Sequence, residues 1–183
     1  MIEKIDLSQV QLQRPSENLK QAYLNSYLSL KLKEDQFPWI YFGESADLED
    51  PKKNFGEYVE KLLAREKNPP PGFVPDTTWW AIYKQQMVGR ISFRHTLNDF
   101  LKLVGGHIGY IVHPNWRRQG IATWMLSEVL KKEIVKKSQR VLLTCDAGNF
   151  ASEKTIINNG GVFERTVNVG PDRPEKKHYW INV

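Results

Sequence analysis

The 183-residue chain holds a single cysteine, Cys145, which excludes an internal disulfide and any multi-cysteine metal cluster. A reducing, intracellular setting fits, and no metal ion is expected. Nowhere do about 18 apolar residues run together, so a membrane-spanning helix is excluded. The opening stretch Met1-Ile2-Glu3-Lys4-Ile5-Asp6-Leu7 lacks a basic leader, an apolar core and a small-residue cleavage site. A secretory signal is therefore not expected, and the chain is read as cytoplasmic. Repeats are absent, and low complexity is confined to Pro69-Pro70-Pro71. Neither sign of charge dominates: 26 lysines and arginines against 21 acids leave a formal net charge of +5. That excess suits phosphate-bearing ligands, acidic substrates or nucleic acid and selects none of them.

Against these absences stand 40% hydrophobic and 11% aromatic residues, enough to build one core in a chain of this length. One domain over residues 1–183 is expected, with a helical front (1–70) and a strand-rich rear (79–183). Val10–Gln13 reads as a short strand. Ser16 then offers an N-cap, and Leu19, Tyr23, Tyr27 and Leu30 recur at helical spacing over Glu17–Lys33. Tyr58, Val59, Leu62 and Leu63 predict a second helix over Phe55–Arg65. Asn68-Pro69-Pro70-Pro71-Gly72 is a loop, because consecutive prolines lack backbone donors. Trp79–Tyr83 and Met87–Phe93 read as a hairpin around Lys84-Gln85-Gln86, and His107–His113 as a third strand.

The stretch Gly120–Lys136 places Ala122, Leu126, Val129 and Leu130 on one helical face, with Lys131, Lys132, Lys136 and Lys137 in water. Val141–Cys145 has the apolar run of a buried strand. A helix from Asn149 to Asn159 is capped by Asn149 and stopped by Gly160-Gly161. Strands over Val162–Val169 and Lys177–Val183 close the chain. This order predicts an α/β fold of mixed α+β type, a central mixed sheet with helices on its faces. Within it, His107–Cys145 forms a right-handed parallel crossover.

The chemistry concentrates where the third strand meets the long helix, at Ile111-Val112-His113-Pro114-Asn115-Trp116-Arg117-Arg118-Gln119-Gly120-Ile121-Ala122-Thr123. A helix N-terminus leaves backbone N–H groups unpaired and carries partial positive charge, so a turn of small residues there can cradle a pyrophosphate. Gly120 lets the backbone turn, Ala122 keeps the first helical turn thin, and Arg117 and Arg118 add charge that pairs with phosphate oxygens. The spacing alone recurs by chance in about one in five such chains. Its position between a strand and an amphipathic helix is what gives it weight.

His107-Ile108-Gly109-Tyr110-Ile111-Val112-His113-Pro114 followed by Arg117-x-x-Gly120-x-Ala122 resembles the acetyl-CoA signature of the GCN5-related N-acetyltransferase (GNAT) superfamily. Asp146-x-x-Asn149-x-x-Ser152 and Asn158-Asn159-Gly160-Gly161-Val162-Phe163 resemble that family's second motif, and together the two cover roughly residues 79–183. The resemblance implies a GNAT acyl-CoA N-acyltransferase fold, a twisted mixed sheet with two parallel strands splayed apart. It also implies acetyl-CoA as cosubstrate and transfer of its acetyl group, by direct attack, to a primary amine on a small molecule or peptide. Backbone groups of Tyr110, Ile111 and Val112 then hold the pantetheine arm. The amides of Arg118, Gln119, Gly120, Ile121, Ala122 and Thr123 hold the pyrophosphate beside Arg117, and Asn149 and Ser152 reach in from the other side of the gap.

Departures from the family pattern shape the rest. Where many relatives carry a tyrosine as general acid this chain has Ile156, which leaves Tyr110 or Tyr179 as the replacement, or a thiolate that departs without help. Where several carry a glutamate base it has Gly106-His107, which makes His107 the candidate base and His95 its rival. Cys145 reads as a small buried residue rather than a nucleophile. Trp39, Tyr41, Trp79 and Trp80 read as packing residues, the first two also as walls of an acceptor pocket. Two other classes stay open: an acetyl-CoA-binding pseudoenzyme or sensor without turnover, suggested by Ile156, and a nucleic-acid-binding module, suggested by the lysines of residues 130–137. Glu128 and Glu133 interrupt that basic stretch, so nucleic acid is disfavoured. A homodimer stays among the assemblies, and the acceptor is not named by any motif.

Overall fold

A computed structural model describes residues 4–30 and 54–183. Trp39, Tyr41, residues 31–33 of the first expected helix and the side chains of Tyr27 and Leu30 lie outside the described residues. The elements are β1 (Gln11–Gln13), α1 (Lys20–Leu30), α2 (Phe55–Ala64), β2 (Asp76–Tyr83), β3 (Gln86–Arg94) and α3 (Asp99–Val104). They continue with β4 (Ile108–Val112), α4 (Ile121–Leu130), α5 (Glu133–Lys136), β5 (Arg140–Asp146), α6 (Phe150–Ile157), β6 (Val162–Val167) and β7 (Lys176–Asn182).

Two sheets result, ordered β1-β2-β3-β4 and β5-β7-β6, and every ladder in them is antiparallel. The expected single mixed sheet is therefore replaced by two antiparallel ones, and among the described residues no ladder joins β4 to β5. The β2–β3 hairpin turns through Lys84 (φ 43°) and Gln85 (φ 57°), the left-handed pair that a two-residue hairpin requires and that neither residue type favours.

Two further expectations change. The helix over Gly120–Lys136 is broken: Lys132 is extended (ψ 135°) and caps a separate α5. Val129 and Val135 are both fully buried, yet six residues of unbroken helix would point them roughly 120° apart. The break turns Val135 back into the core. Helix α3 gives no signal in the sequence because it is only six residues long and leaves Phe100 and Leu103 in solvent. Its cap is the Asn98 side chain, which accepts the Leu101 N–H at 2.9 Å.

Apolar alternation along β2, β3 and β4 divides the core between the two faces of the first sheet. One face packs Trp79, Val88, Ile91 and Phe93 with Ile121, Met125 and Val129 of α4, Ile156 of α6 and Val141, Leu143 and Tyr179 of the second sheet. The other packs Trp80 and Met87 with Tyr23 of α1 and Phe55, Tyr58 and Leu62 of α2. The rings of Tyr23, Phe55 and Trp80 lie 5.3–6.2 Å apart, so Trp80 fills a core and Trp79 fills the opposite one. Each such side chain contributes about 1.5–3 kcal/mol by leaving water.

A clasp joins β4 to β5. The His107 N–H donates to the Leu142 carbonyl at 2.7 Å, and the Leu142 N–H donates back to His107 Nδ1 at 2.9 Å. Gly106 makes this approach possible: its φ is +61°, and a Cβ there would stand 2.5 Å from the Leu142 oxygen. The Arg94 guanidinium holds the same loop through the carbonyls of Gly105 (3.2 Å) and Gly106 (3.0 Å). Gly106→Ala is expected to lower stability by about 2–4 kcal/mol, since it combines backbone strain with a backbone clash. Chemical denaturation of the two proteins checks this, and a loss under about 1 kcal/mol would show that the clasp is soft.

Candidate functional site

Beyond the clasp, β4 has an open edge. The Arg94 N–H bonds the His107 carbonyl and the His113 N–H bonds the Val88 carbonyl, which sets the alternation along the β3–β4 ladder. Gly109 and Ile111 exchange main-chain bonds with β3, whereas Tyr110 and Val112 turn theirs toward β5. Of the three residues expected to hold a ligand by their backbone, Tyr110 and Val112 face the gap. Ile111 is committed to Arg90 in the ladder, and its side chain packs against the α1/α2 core.

At the far end of β4 the chain turns into α4. Arg118 (φ 62°) and Gly120 (φ 84°) both adopt left-handed backbone, and Gly120 is the N-cap, so no side chain closes the helix. The first helical bond runs from the Trp124 N–H to the Gly120 carbonyl. The N–H groups of Ile121, Ala122 and Thr123 precede it and have no partner within the helix. Arg117, Arg118 and Gly120 are exposed, as a ligand cradle requires. The loop is fixed from two sides: Arg117 Nε donates to the Val112 carbonyl at 3.2 Å, and Gln119 Oε1 accepts the Ile5 N–H at 2.7 Å. Gln119 thus spends its side-chain oxygen on the N-terminal segment. Three orphan donors beside adjacent cations offer a place for an anionic group, and the open strand edge offers main-chain groups to an extended amide-bearing chain.

The opposite wall is α6. Asn149 caps it, Oδ1 accepting the Ser152 N–H at 3.1 Å, and the residue is exposed. Ser152 Oγ lies 2.8 Å from the Tyr110 hydroxyl, so two of the expected residues are in direct contact. Burial, partly offset by that bond, pushes the Tyr110 phenol up to about 12, and it holds its proton across the physiological range. Tyr179 donates to Glu153 Oε1 at 2.5 Å, and burial with that carboxylate raises its pKa further. Ile156 is fully buried among core residues. Burial likewise pushes the Cys145 thiol up to about 11, which keeps it protonated and unreactive.

The histidines sort by their partners. His107 Nδ1 accepts a backbone N–H, so its neutral ring carries the proton on Nε2. His95 Nε2 is 2.8 Å from Thr77 Oγ1, in a cluster with Glu66 and Arg14. His113, which the sequence marks only as part of the strand, is fully buried. Its Nε2 reaches Ser29 Oγ (2.9 Å) and the Ser26 carbonyl (3.2 Å) of α1, while Nδ1 accepts the Asn115 N–H at 3.2 Å. His113 therefore ties α1 to the turn before the cradle. Among the described residues no group of three His, Cys, Asp or Glu could hold a metal ion, and no helix is long and apolar enough to cross a membrane.

A family model for the acetyltransferase (GNAT) domain matches residues 18–162. The chain belongs to the GNAT acetyltransferase family. As a GNAT enzyme it is an acetyl-CoA-dependent N-acetyltransferase. Similar solved structures include the microcin C7 self-immunity acetyltransferase MccE in complex with acetyl-CoA and AMP. It shares 16% identity over 96% of this chain and 93% of its own, with a TM-score of 0.64. The ribosomal L7/L12 α-N-protein acetyltransferase RimL, in complex with coenzyme A, shares 16% identity over 100% and 97% of the two chains, at a TM-score of 0.63. Mycobacterium smegmatis RimJ, in complex with CoA-disulfide, shares 18% over 94% and 81%, at 0.60. At these identities the likeness is one of fold. No curated protein sequence matches the chain.

Two residues beside the candidate site escaped the sequence reading. His113 and Asn159 both stand in the motifs, but their partners lie 84 and 36 residues away, and no local spacing signals such contacts. Burial, as the largest cause, lowers the pKa of both His107 and His113 below 6.5. The unfolded chain therefore binds these protons first as pH falls, so the stability present above about pH 6.5 is lost as pH drops toward the folded values. Thermal midpoints between pH 8 and pH 5 are expected to fall by about 3 °C or more, with a shallower fall in His113→Gln. A slope unchanged by that substitution would remove His113 from the acid response.

Proposed function

We propose that this enzyme acetylates the primary amine of a small molecule or a peptide, the amine attacking the bound thioester directly. Acetyl-CoA supplies the activated acyl group; the chain supplies position and protons. The observation that carries the reading is the uncapped α4 N-terminus lying beside the open edge of β4. In this proposal the N–H groups of Ile121, Ala122 and Thr123, with those of Arg118, Gln119 and Gly120, bind the diphosphate, assisted by the Arg117 and Arg118 charges. Main-chain groups of Tyr110 and Val112 bind the arm as an added strand, and Asn149 Nδ2 donates from across the gap. The Tyr110–Ser152 hydroxyl pair, 2.8 Å apart, is the proton source for the departing sulfur. That pair stands in for the tyrosine that Ile156 replaces.

His107 enters as a positioning residue. Taking up a proton on Nδ1 would break its bond to the Leu142 N–H, so its contribution is to hold the closed end of the gap. The L7/L12 α-N-protein named for RimL is that enzyme's acceptor; here the acceptor is given only as an amine, because a shared fold does not carry a substrate with it.

Calorimetry with acetyl-CoA tests the cradle. Gly120→Glu places a side chain and a negative charge at the orphan N–H groups, at a backbone angle that disfavours both. Acetyl-CoA affinity is expected to fall at least about 100-fold with the fold intact. Unchanged affinity would move the cofactor elsewhere. For the proton source, Tyr110→Phe and Ser152→Ala are each expected to lower kcat about 10- to 100-fold, with acetyl-CoA affinity held within about twofold. Thiol release in an amine screen provides the readout. Binding of acetyl-CoA without release of thiol for any amine would favour a sensor over an enzyme.

A further inference from the structure

The two walls of the gap are joined at a point that no part of the proposed chemistry uses. Asn159 follows α6, and its side-chain Nδ2 donates to the Thr155 carbonyl at 2.9 Å and to the Thr123 carbonyl at 3.2 Å. Thr155 belongs to α6 and Thr123 to the first turn of α4, and their hydroxyls stand 3.5 Å apart. The turn that presents Asn159 is tightly held. Gly160 has φ +84°, and a Cβ on Gly161 would meet Ile156 at 2.4 Å, so only glycine fits behind the brace. At the other end of α6, Ser152 contacts Tyr110 of β4. Helix α6 is thus pinned at both ends of the gap, and Asn159 is the pin on the cradle side.

We propose that Asn159 is a positioning residue that sets the width of the slot between α4 and α6, and with it the fit of the pantetheine arm of acetyl-CoA. The inference rests on the acetyl-CoA reading of the gap given above. Both acceptors are carbonyls, so only a side chain with two donors on one nitrogen can bridge them. The brace takes the carbonyl of Thr123 and leaves its N–H free for the cradle. A change at Asn159 therefore alters the separation of the walls while the orphan donors that face a diphosphate keep their places.

Asn159→Asp preserves shape, removes both donors and sets a carboxylate against two carbonyl oxygens. Calorimetry on the wild type and this variant is to be run with CoA and with ADP, which carries a diphosphate but no pantetheine arm. The expected result is a fall of about tenfold or more in CoA affinity with ADP affinity held within about twofold. Equal losses for both ligands, or no loss for CoA, would overturn the proposal. Should Asn159→Asp fail to fold by circular dichroism, Asn159→Ala takes its place, and failure of both would assign Asn159 to the fold alone and also overturn it. The wild type separates the two ideas: if it binds no CoA, the acetyl-CoA reading fails, and with it the role given to Asn159. Normal wild-type binding with an indifferent variant sinks only the brace.

Discussion

Everything functional in this molecule depends on the clasp between His107 and Leu142. Besides the core they share, the two sheets are linked by the His107–Leu142 main-chain bond and the bond to the imidazole, and among the described residues no ladder continues from there between β4 and β5. Each backbone group left unpaired in a dry interior costs about 1–3 kcal/mol; the edge of β4 avoids part of that cost because Tyr110 and Val112 are only half-buried and Arg117 Nε bonds the Val112 carbonyl. The clasp keeps β4 and β5 close at one end, and among the described residues no ladder closes them beyond it.

The walls of the gap are built to stay where they are. Arg117 and Gln119 anchor the cradle loop to β4 and to the N-terminal segment, and His113 anchors the preceding turn to α1. Asn159 and Ser152 fasten α6. These bonds join the α4/α6 side of the first sheet to the α1/α2 side, whose core is a separate set of aromatic rings. Preorganisation of this kind lowers what a flexible, charged ligand must spend in ordering the protein that binds it.

Several ionisable groups on and beside β4, β5 and β7 share one tendency, whereas hydrogen bonds from Lys177 and Tyr179 hold the Glu153 carboxyl below its usual range. Tyr110, Tyr179 and Cys145 are all pushed upward, burial being the first cause in each, and His107 and His113 are pushed downward by the same burial. Each of those burial shifts disfavours charge. A low-dielectric slot suits the meeting of a neutral amine with a thioester, and the hydroxyl groups that retain their protons there remain hydrogen-bond donors.

By itself the sequence determined the local features. A glycine before an amphipathic run, asparagine at a cap and paired glycines after a helix each act within a few residues, and the cradle at Gly120, the cap at Asn149 and the stop at Gly160 all stand where the chain alone puts them. The hairpin, the strand over β4 and most of α4 follow from periodicity for the same reason. Tertiary structure decided the rest: that the sheet is two sheets, that α5 breaks from α4 to bury Val135, that Ile111 faces β3 while Tyr110 faces the gap, and that His107 serves a clasp. The clasp, for one, joins residues 35 apart in the chain, and the energy of such contacts depends on spatial separations that no spacing along the sequence encodes.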